Sequence, residues 1–342
     1  MFNKTMINLL DLDKEGIKKI TPGKPFRAAQ VFHWVFARGI QAIDEMSNLP
    51  KDLRHDLGQI AEISYPEIAG RQVSSDKTEK IAWRLYDGHI VESVIIPEKN
   101  HWTVCVSSQA GCAMGCNFCY TAQIGFKRNL SQGEILAQIL YPIHAYPKRH
   151  IRNIVFMGMG EPLLNYDNLV DAIHILTDKD GPQISKRRIT ISTCGIIPRI
   201  KTLWPDTGVN LAISLNAPND ALRSQIMPIN NKYPLKELLG LLRTHPTSKR
   251  GRITMEYVLI GGLNDQLSHA EELIRTLHGI RSKVNLIPFN PWPQSTLKAP
   301  EQKDLKAFHE RLRNSPVAVM LRKEKGSDIL AACGQLAGKK GK

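Results

Sequence analysis

Apolar residues recur along this chain with two different periods. From residue 11 to 63 they return every three or four positions, in DLDKEGIKKI, PFRAAQVFHWVFAR and LPKDLRHDLGQIAEI, with Pro22, Gly23 and a turn from Ser47 to Pro50 between the runs. That period predicts amphipathic helices. The set Phe26, Val31, Phe32, Trp34, Val35 and Phe36 is too dense for a helix that meets only water, so it predicts packing on a second surface. Between Glu67 and Pro97 the period shortens to two, and Asp87-Gly88 separates IAWRLY from HIVESVII. An Asp-Gly pair between alternating runs predicts a β-hairpin.

Beyond residue 95 strands and helices alternate. Strand-length apolar runs cover 102–108, 153–159, 188–194, 209–216, 253–260, 284–290 and 317–323, with helical patterns such as LSQGEILAQILYPIHAY, NYDNLVDAIHILTD and EQKDLKAFHERLR between them. No G-x-G-x-x-G opens the first unit, so the rhythm predicts an α/β fold built as a parallel (β/α) barrel rather than a doubly wound sheet. The chain is expected to divide into a helical and hairpin module, residues 1–95, and a barrel with its C-terminal segment, residues 96–342. Barrels keep their working groups at the C-terminal ends of the strands. Those ends carry Gly158-Met159-Gly160-Glu161-Pro162, Ser192-Thr193-Cys194-Gly195, Ser214-Leu215-Asn216 and Asn290-Pro291.

The loop after the first barrel strand, AGCAMGCNFCYTAQIGFKR, holds Cys112, Cys116 and Cys119 in a C-x3-C-x2-C spacing with Phe118 before the last cysteine. Three thiolates on one short loop can converge on one metal centre, and soft sulfur selects zinc or an iron-sulfur cluster. A structural zinc site wants a fourth Cys or His at comparable spacing, and none follows within twenty residues. A cubane with three protein ligands instead leaves one iron open to the amine and carboxylate of a small molecule. The spacing and its aromatic resemble the signature of the radical SAM superfamily, which implies a [4Fe-4S] cluster and S-adenosyl-L-methionine. Gly160 and Glu161 suit close backbone approach and a bound amine; Ser192, Ser214 and Asn290 suit a carboxylate or ribose.

Composition narrows the class further. The 342 residues carry 46 Lys and Arg against 32 Asp and Glu, a net charge of +14, and are 42% hydrophobic. No apolar run reaches the ~18 residues that cross a bilayer, and the first residues lack a signal-peptide pattern. The expected location is the cytoplasm, without membrane association, where six cysteines read as ligands or reactive thiols rather than structural disulfides. Excess positive charge favours phosphate backbones. Lys127 and Arg128, Lys148, Arg149 and Arg152, and Lys186, Arg187 and Arg188 read as basic groups near site loops. Together with the N-terminal module they are expected to grip RNA, while Lys339, Lys340 and Lys342 read as a solvated end.

The remaining thiols, Cys105 in the first barrel strand, Cys194 and Cys333 in GSDILAACGQLAG, separate subfamilies. Cys194 reads as a buried, inert cysteine. Together with INLLDLD, VCVSSQAGC, GFKRNL, FMGMGEPLLN, APND, MPIN and NLIPFNP, the Cys333 run resembles the RlmN group within the RlmN/Cfr family of RNA methyltransferases. The resemblance implies a partial parallel barrel of radical SAM type and methylation of adenine carbon 2, at position 2503 of 23S rRNA and position 37 of tRNA. It also implies that Cys112, Cys116 and Cys119 bind the cluster, that Cys333 becomes S-methylated, and that Cys105 forms a transient disulfide with it. Glu92 matches the proton acceptor, and Gly160, Glu161, Ser192, Ser214, Leu215, Asn216 and Asn290 match the adenosylmethionine contacts. A flavodoxin-type reductase is the implied electron donor, and nothing demands more than a monomer.

Three positions depart from the family pattern: Asn216 stands where histidine is common, Cys194 where serine is common, and Tyr120 where a smaller residue is common. Asparagine still hydrogen-bonds but carries no proton. Other readings stay open at this point. A Cfr-type enzyme methylating carbon 8 uses the same thiols, although Pro162 favours the carbon 2 group. Other radical SAM enzymes need not have both Cys105 and Cys333, and a non-catalytic zinc protein that binds RNA would be colourless.

Overall fold

Ten strands form one sheet. In chain order they are β1 (Glu67–Val73), β2 (Glu79–Arg84), β3 (Ile90–Pro97), β4 (Trp102–Cys105), β5 (Ile151–Phe156), β6 (Ile189–Thr193), β7 (Asn210–Ser214), β8 (Ile253–Leu259), β9 (Ser282–Pro288) and β10 (Ala318–Leu321). The computed structural model describes residues 6–247 and 251–338, so the terminal run Lys339, Lys340 and Lys342 lies outside the described residues. Spatial order follows chain order, from β1 at one edge to β10 at the other. The first four strands pair antiparallel, and every pairing from β4 to β10 is parallel. Cys105 on β4 and Arg322 just past β10 nevertheless line the same cavity, so the parallel strands curl into a barrel open along one seam. The strand and helix rhythm predicts the parallel barrel, and the family resemblance implies that it is partial.

Alternation decides what fills it. On each parallel strand one set of side chains, such as Ile154 on β5 and Ile191 on β6, is fully buried in the hydrophobic core. The other set faces the barrel interior and is largely polar, including Thr103, Asn153, Thr190, Ser192, Ser214 and Glu256. Most barrels fill their interiors with branched apolar residues. This one keeps space there.

The hairpin is continuous with the barrel, because β3 pairs with β4 from Val94↔Cys105 to Pro97↔Trp102. Helix Phe26–Phe32 and the π-helical segment His33–Arg38 that continues it bury Val31, Phe32, Val35 and Phe36 as their density predicts. Phe26 is an exception. It is 55% exposed in the first helical turn, with the Lys24 ammonium 5.8 Å from its ring, because that end of the helix projects past the surface it packs on. Polar contacts fix this module to the barrel: Lys14 pairs with Asp178 and Asp180 at 2.6 and 2.7 Å, and Gly133 donates its N–H to Asp11 at 2.7 Å. Periodicity alone leaves helices Tyr120–Ile124, Ile197–Thr207 and Asp220–Ile226 unread. Pro198 and Pro205 interrupt the pattern of Ile197–Thr207, although the first proline stands in the opening turn, where no backbone donor is lost.

Residues 326–338 close the seam. Asp328 accepts from Ser74 Oγ at 2.6 Å and Ser75 N at 3.1 Å, and Lys80 Nζ donates to the carbonyl of Leu330 at 3.3 Å. The amides of Ala337 and Gly338 donate to Glu92 Oε2 at 2.7 and 3.0 Å. Cys333 lies on this strap.

Basic residues are placed differently from the sequence expectation. Arg128 is held bidentately by Glu134 at 2.7 and 2.8 Å and also pairs with Asp87, and Arg149 pairs with Glu79 and stacks on Trp102 and Tyr146. Lys186–Arg188 form a turn immediately before β6. A residue that precedes a parallel strand stands at the barrel's N-terminal end, so these cations face away from the cysteine loop rather than gathering beside it.

Candidate active site

A cavity lies at the C-terminal ends of the strands, lined by Cys112, Cys116 and Cys119 on one side and by Gly160, Glu161, Ser192, Ser214 and Asn216 on the other. The cysteine loop is pinned at its base, where Gln109–Ala110 pairs with Arg128–Asn129. Gly111 adopts φ +76°, and a Cβ there would come within 1.8 Å of the Gly125 carbonyl oxygen, so only glycine closes the loop. Further along, Asn117 donates its N–H to Ile226 O at 3.1 Å, and Tyr120 donates its N–H to Gly334 O at 2.7 Å. Tyr120 also stacks on Trp292 at 4.8 Å. The cysteine loop is thus fastened directly to the strap that carries Cys333.

The donor set fits an iron-sulfur cluster. Burial pushes all three thiols up, Cys112 to about 12, so the thiolates are stable here only beside compensating positive charge. No three His, Cys, Asp or Glu side chains among the described residues converge on one point. A single zinc ion would need its sulfurs all about 2.3 Å away, whereas a cubane takes each thiolate at a different iron. Beneath the loop Arg223 is completely buried, donating to the carbonyls of Leu215, Cys194 and Ser214 and to Asn230 Oδ1. All four acceptors are neutral.

The opposite wall suits a zwitterion. Gly160 has φ +96°, and a Cβ there would meet Gln109 at 2.5 Å. Glu161 is buried, which raises its pKa, while the amides of Cys194 and Leu163 donate to its two oxygens at 2.8 and 3.0 Å and favour the anion. Ser192 donates to Glu256 at 2.6 Å. Asn216 takes a left-handed φ of +58°, a conformation asparagine tolerates, and its Oδ1 accepts from the amide of Val258 at 2.8 Å. Its side chain therefore braces β8 as well as lining the cavity.

Not every residue implied by the resemblance reaches this cavity. The side chain of Leu215 lies fully in the core, and only its backbone is engaged, by Arg223 and Glu256. Asn290 lines a small neighbouring cavity with Cys105, Cys333 and Arg322. Glu92 lines neither; it is buried against Lys80 Nζ at 3.1 Å and the two strap amides. Cys194, read as inert, does line the larger cavity. Three charged residues were not singled out from the sequence: Arg223, Glu256 and Arg322. Glu256 and Arg322 interrupt the apolar strand runs ITMEYVLI and VAVMLRK, which is a visible signal of a buried polar function.

Cys333 lines both cavities. On one side it faces the cysteine loop and Glu161, on the other Cys105. Burial pushes the Cys105 thiol up to about 12, with Arg322 opposing the shift. Cys105 is 7% exposed, whereas Cys333 is only half-buried. Iodoacetamide at neutral pH is therefore expected to alkylate Cys333 well before Cys105 in the intact fold, as read by peptide mass spectrometry. Equal labelling would contradict this burial difference.

The chain is similar to known proteins along nearly its whole length. The radical SAM superfamily profile matches residues 106–277, and that of the ribosomal RNA large subunit methyltransferase N-terminal domain matches residues 7–63. A dual-specificity RNA methyltransferase RlmN of Syntrophus aciditrophicus is 47% identical over 97% of both chains. Its namesake in Geobacter sulfurreducens is 46% identical over 98% of this chain and 93% of its own. The crystal structure of a radical SAM methyltransferase from Sphaerobacter thermophilus superposes with a TM-score of 0.92 at 38% identity, covering 97% of this chain and all of the other.

Proposed function

This chain belongs to the RlmN family of radical SAM RNA methyltransferases, and on that premise we propose that it methylates carbon 2 of adenine 2503 in 23S rRNA and adenine 37 in tRNA. The observation that carries the proposal is Cys333 standing between the cysteine-loop cavity and Cys105.

Cys112, Cys116 and Cys119 would hold the [4Fe-4S] cluster, and Gly160, Glu161, Ser192, Ser214 and Asn216 would hold adenosylmethionine, with Leu215 and Asn290 acting through backbone and rim. When bound, these groups supply the methyl and the radical chemistry that an electron-poor ring carbon requires. Cys333 would carry the methyl carbon. That methyl would lose one hydrogen atom to the radical the bound groups supply, its carbon would bond to carbon 2 of adenine, and the unpaired electron left on the ring would return to those groups. The ring proton then leaves to a base, the role proposed for Glu92, whose carboxylate must first give up the Ala337 and Gly338 amides. Cys105 attacks the sulfur of Cys333; an S–S bond forms, the S–C bond breaks, and its electron pair passes to the released carbon, which takes up a proton.

Residues 1–95 are proposed as an RNA-binding module and 96–342 as the catalytic barrel. Resetting the disulfide requires external electrons, which favours a flavodoxin-type donor. No helix among the described residues is long and apolar enough to cross a membrane. A cytoplasmic monomer is the form we propose.

Mass spectrometry of RNA from a host lacking the activity and complemented with this chain is expected to show 2-methyladenosine. An 8-methyladenosine product would move the chain to the Cfr type. Replacing Cys112, Cys116 and Cys119 together by alanine is expected to abolish both the product and the brown colour and sulfide of anaerobically purified protein; retained colour would remove the loop from its ligand role.

A further inference from the structure

Below the cysteine pair the barrel interior remains open and polar. A cleft runs to the N-terminal ends of the strands, and Thr103, Asn153, Thr190, Asn210 and Thr254 face it from successive strands. Cations surround its mouth. Arg187, Arg188 and Arg252 enter from the turns before β6 and β8, Lys283 from β9, and Arg322, Lys323 and Lys325 from beyond β10, against the single carboxylate Glu98. None of Arg187, Arg188, Arg252, Lys283 or Lys323 has a carboxylate partner among the described residues. Like charges held around one cleft repel one another and gain from a bound polyanion, which also releases its counterions.

A second observation points to the ligand. Asn285, facing the cleft from β9, is only 4% exposed, yet its Oδ1 has no hydrogen-bond partner. A buried acceptor left unmade is costly, so this oxygen favours a ligand that brings a hydroxyl or amine donor. Phosphate for the cations and a hydroxyl for Asn285 together describe a ribonucleotide. The cleft also shares Ile96, Met157 and Arg322 with the cavity of Cys105 and Cys333, so a chain lying in it reaches the thiols from the side opposite the cysteine loop.

We propose that this lower cleft is a binding site for single-stranded RNA, holding the phosphates and a ribose hydroxyl of nucleotides that flank the target adenine. It rests on the RNA methyltransferase reading and adds a site at the end of the barrel remote from the cofactor cavity.

The test measures affinity of the full-length, cluster-loaded protein for an anticodon stem-loop RNA over a range of salt concentrations. Arg252→Gln combined with Lys283→Gln is expected to weaken binding about tenfold or more and to flatten the slope of log affinity against log salt by about 1.4, two phosphate contacts at ~0.7 each. Lys236→Gln with Lys306→Gln, the same change in charge at exposed sites outside the cleft, is expected to bind nearly as wild type. Asn285→Ala keeps all the charges and is expected to lower affinity while leaving the slope unchanged. Wild type that methylates RNA while the Arg252/Lys283 variant binds with unaltered affinity and slope would overturn the cleft assignment alone. Adenosine monophosphate binding that disappears in that variant while RNA binding persists would overturn it in favour of a free nucleotide. Wild type that neither binds nor methylates RNA would sink the underlying reading instead.

Discussion

With Cys333 replaced by alanine, methyl transfer to RNA is expected to fall on the order of 10⁴-fold or more, the scale of losing a covalent nucleophile. Fold and colour should survive. The substitution removes one heavy atom from a half-buried site, costing about 1 kcal/mol or less. The strap keeps the bonds that hold it, because Asp328 still meets Ser74, and Ala337 and Gly338 still meet Glu92. The amide of Tyr120 bonds to the carbonyl of Gly334, so the cysteine loop retains its fastening too. The measurement is 2-methyladenosine in cellular RNA beside the absorbance spectrum and melting temperature of the purified variant. Loss of product with an intact spectrum and melt isolates the thiol; substantial residual product would remove Cys333 from the methyl-carrier role.

Replacing Cys105 by serine is expected to have the opposite signature, in which chemistry begins and cannot finish. Serine fills nearly the same volume on β4 but does not attack sulfur, so the bond between Cys333 and RNA persists. Protein purified from cells should then carry covalently attached RNA, visible as a shift on denaturing gels that ribonuclease removes. In the wild type this release step should depend on pH. Only the thiolate attacks sulfur, and burial pushes the Cys105 thiol well above the ordinary thiol range, so in the RNA-free form the thiol is protonated at pH 7. Raising the pH therefore accelerates release by about tenfold per unit. A flat profile would mean that the ionised form is reached only after RNA rearranges the pocket. An unmodified Cys105→Ser protein would remove the resolving role altogether.

How far the sequence reveals this molecule depends on the range over which each feature is determined. The cysteine loop is local: three thiols, an aromatic and the glycines at positions 111 and 125 are adjacent in the chain, and the three thiols line one cavity. Strands are nearly as local, since each apolar run carries its own alternation. Glu92 is harder to read, because its partners Ala337 and Gly338 stand at the far end of the chain and meet it only once the seam is closed. Phe26 and Arg149 mislead for the same reason in opposite directions. One looks like core and is left outside by the end of its helix; the other looks like a free cation and is taken by Glu79, Trp102 and Tyr146. The lower cleft is the most distributed feature, built from single polar residues on successive strands whose common orientation appears only when the sheet curls.

The uninterrupted sheet from β1 to β10 bears on how two unlike RNAs can be served by one enzyme. Paired strands bridge the junction near residue 95, leaving no hinge between the N-terminal hairpin and the barrel. A protein that does not close around its substrate leaves the reshaping to the nucleic acid. Extruding a base costs a few kcal/mol, and less where stacking is already disturbed. Target choice then becomes a matter of how pliable a loop is, and two RNAs of unrelated sequence are equivalent substrates when each can present one unstacked adenine to a rigid mould.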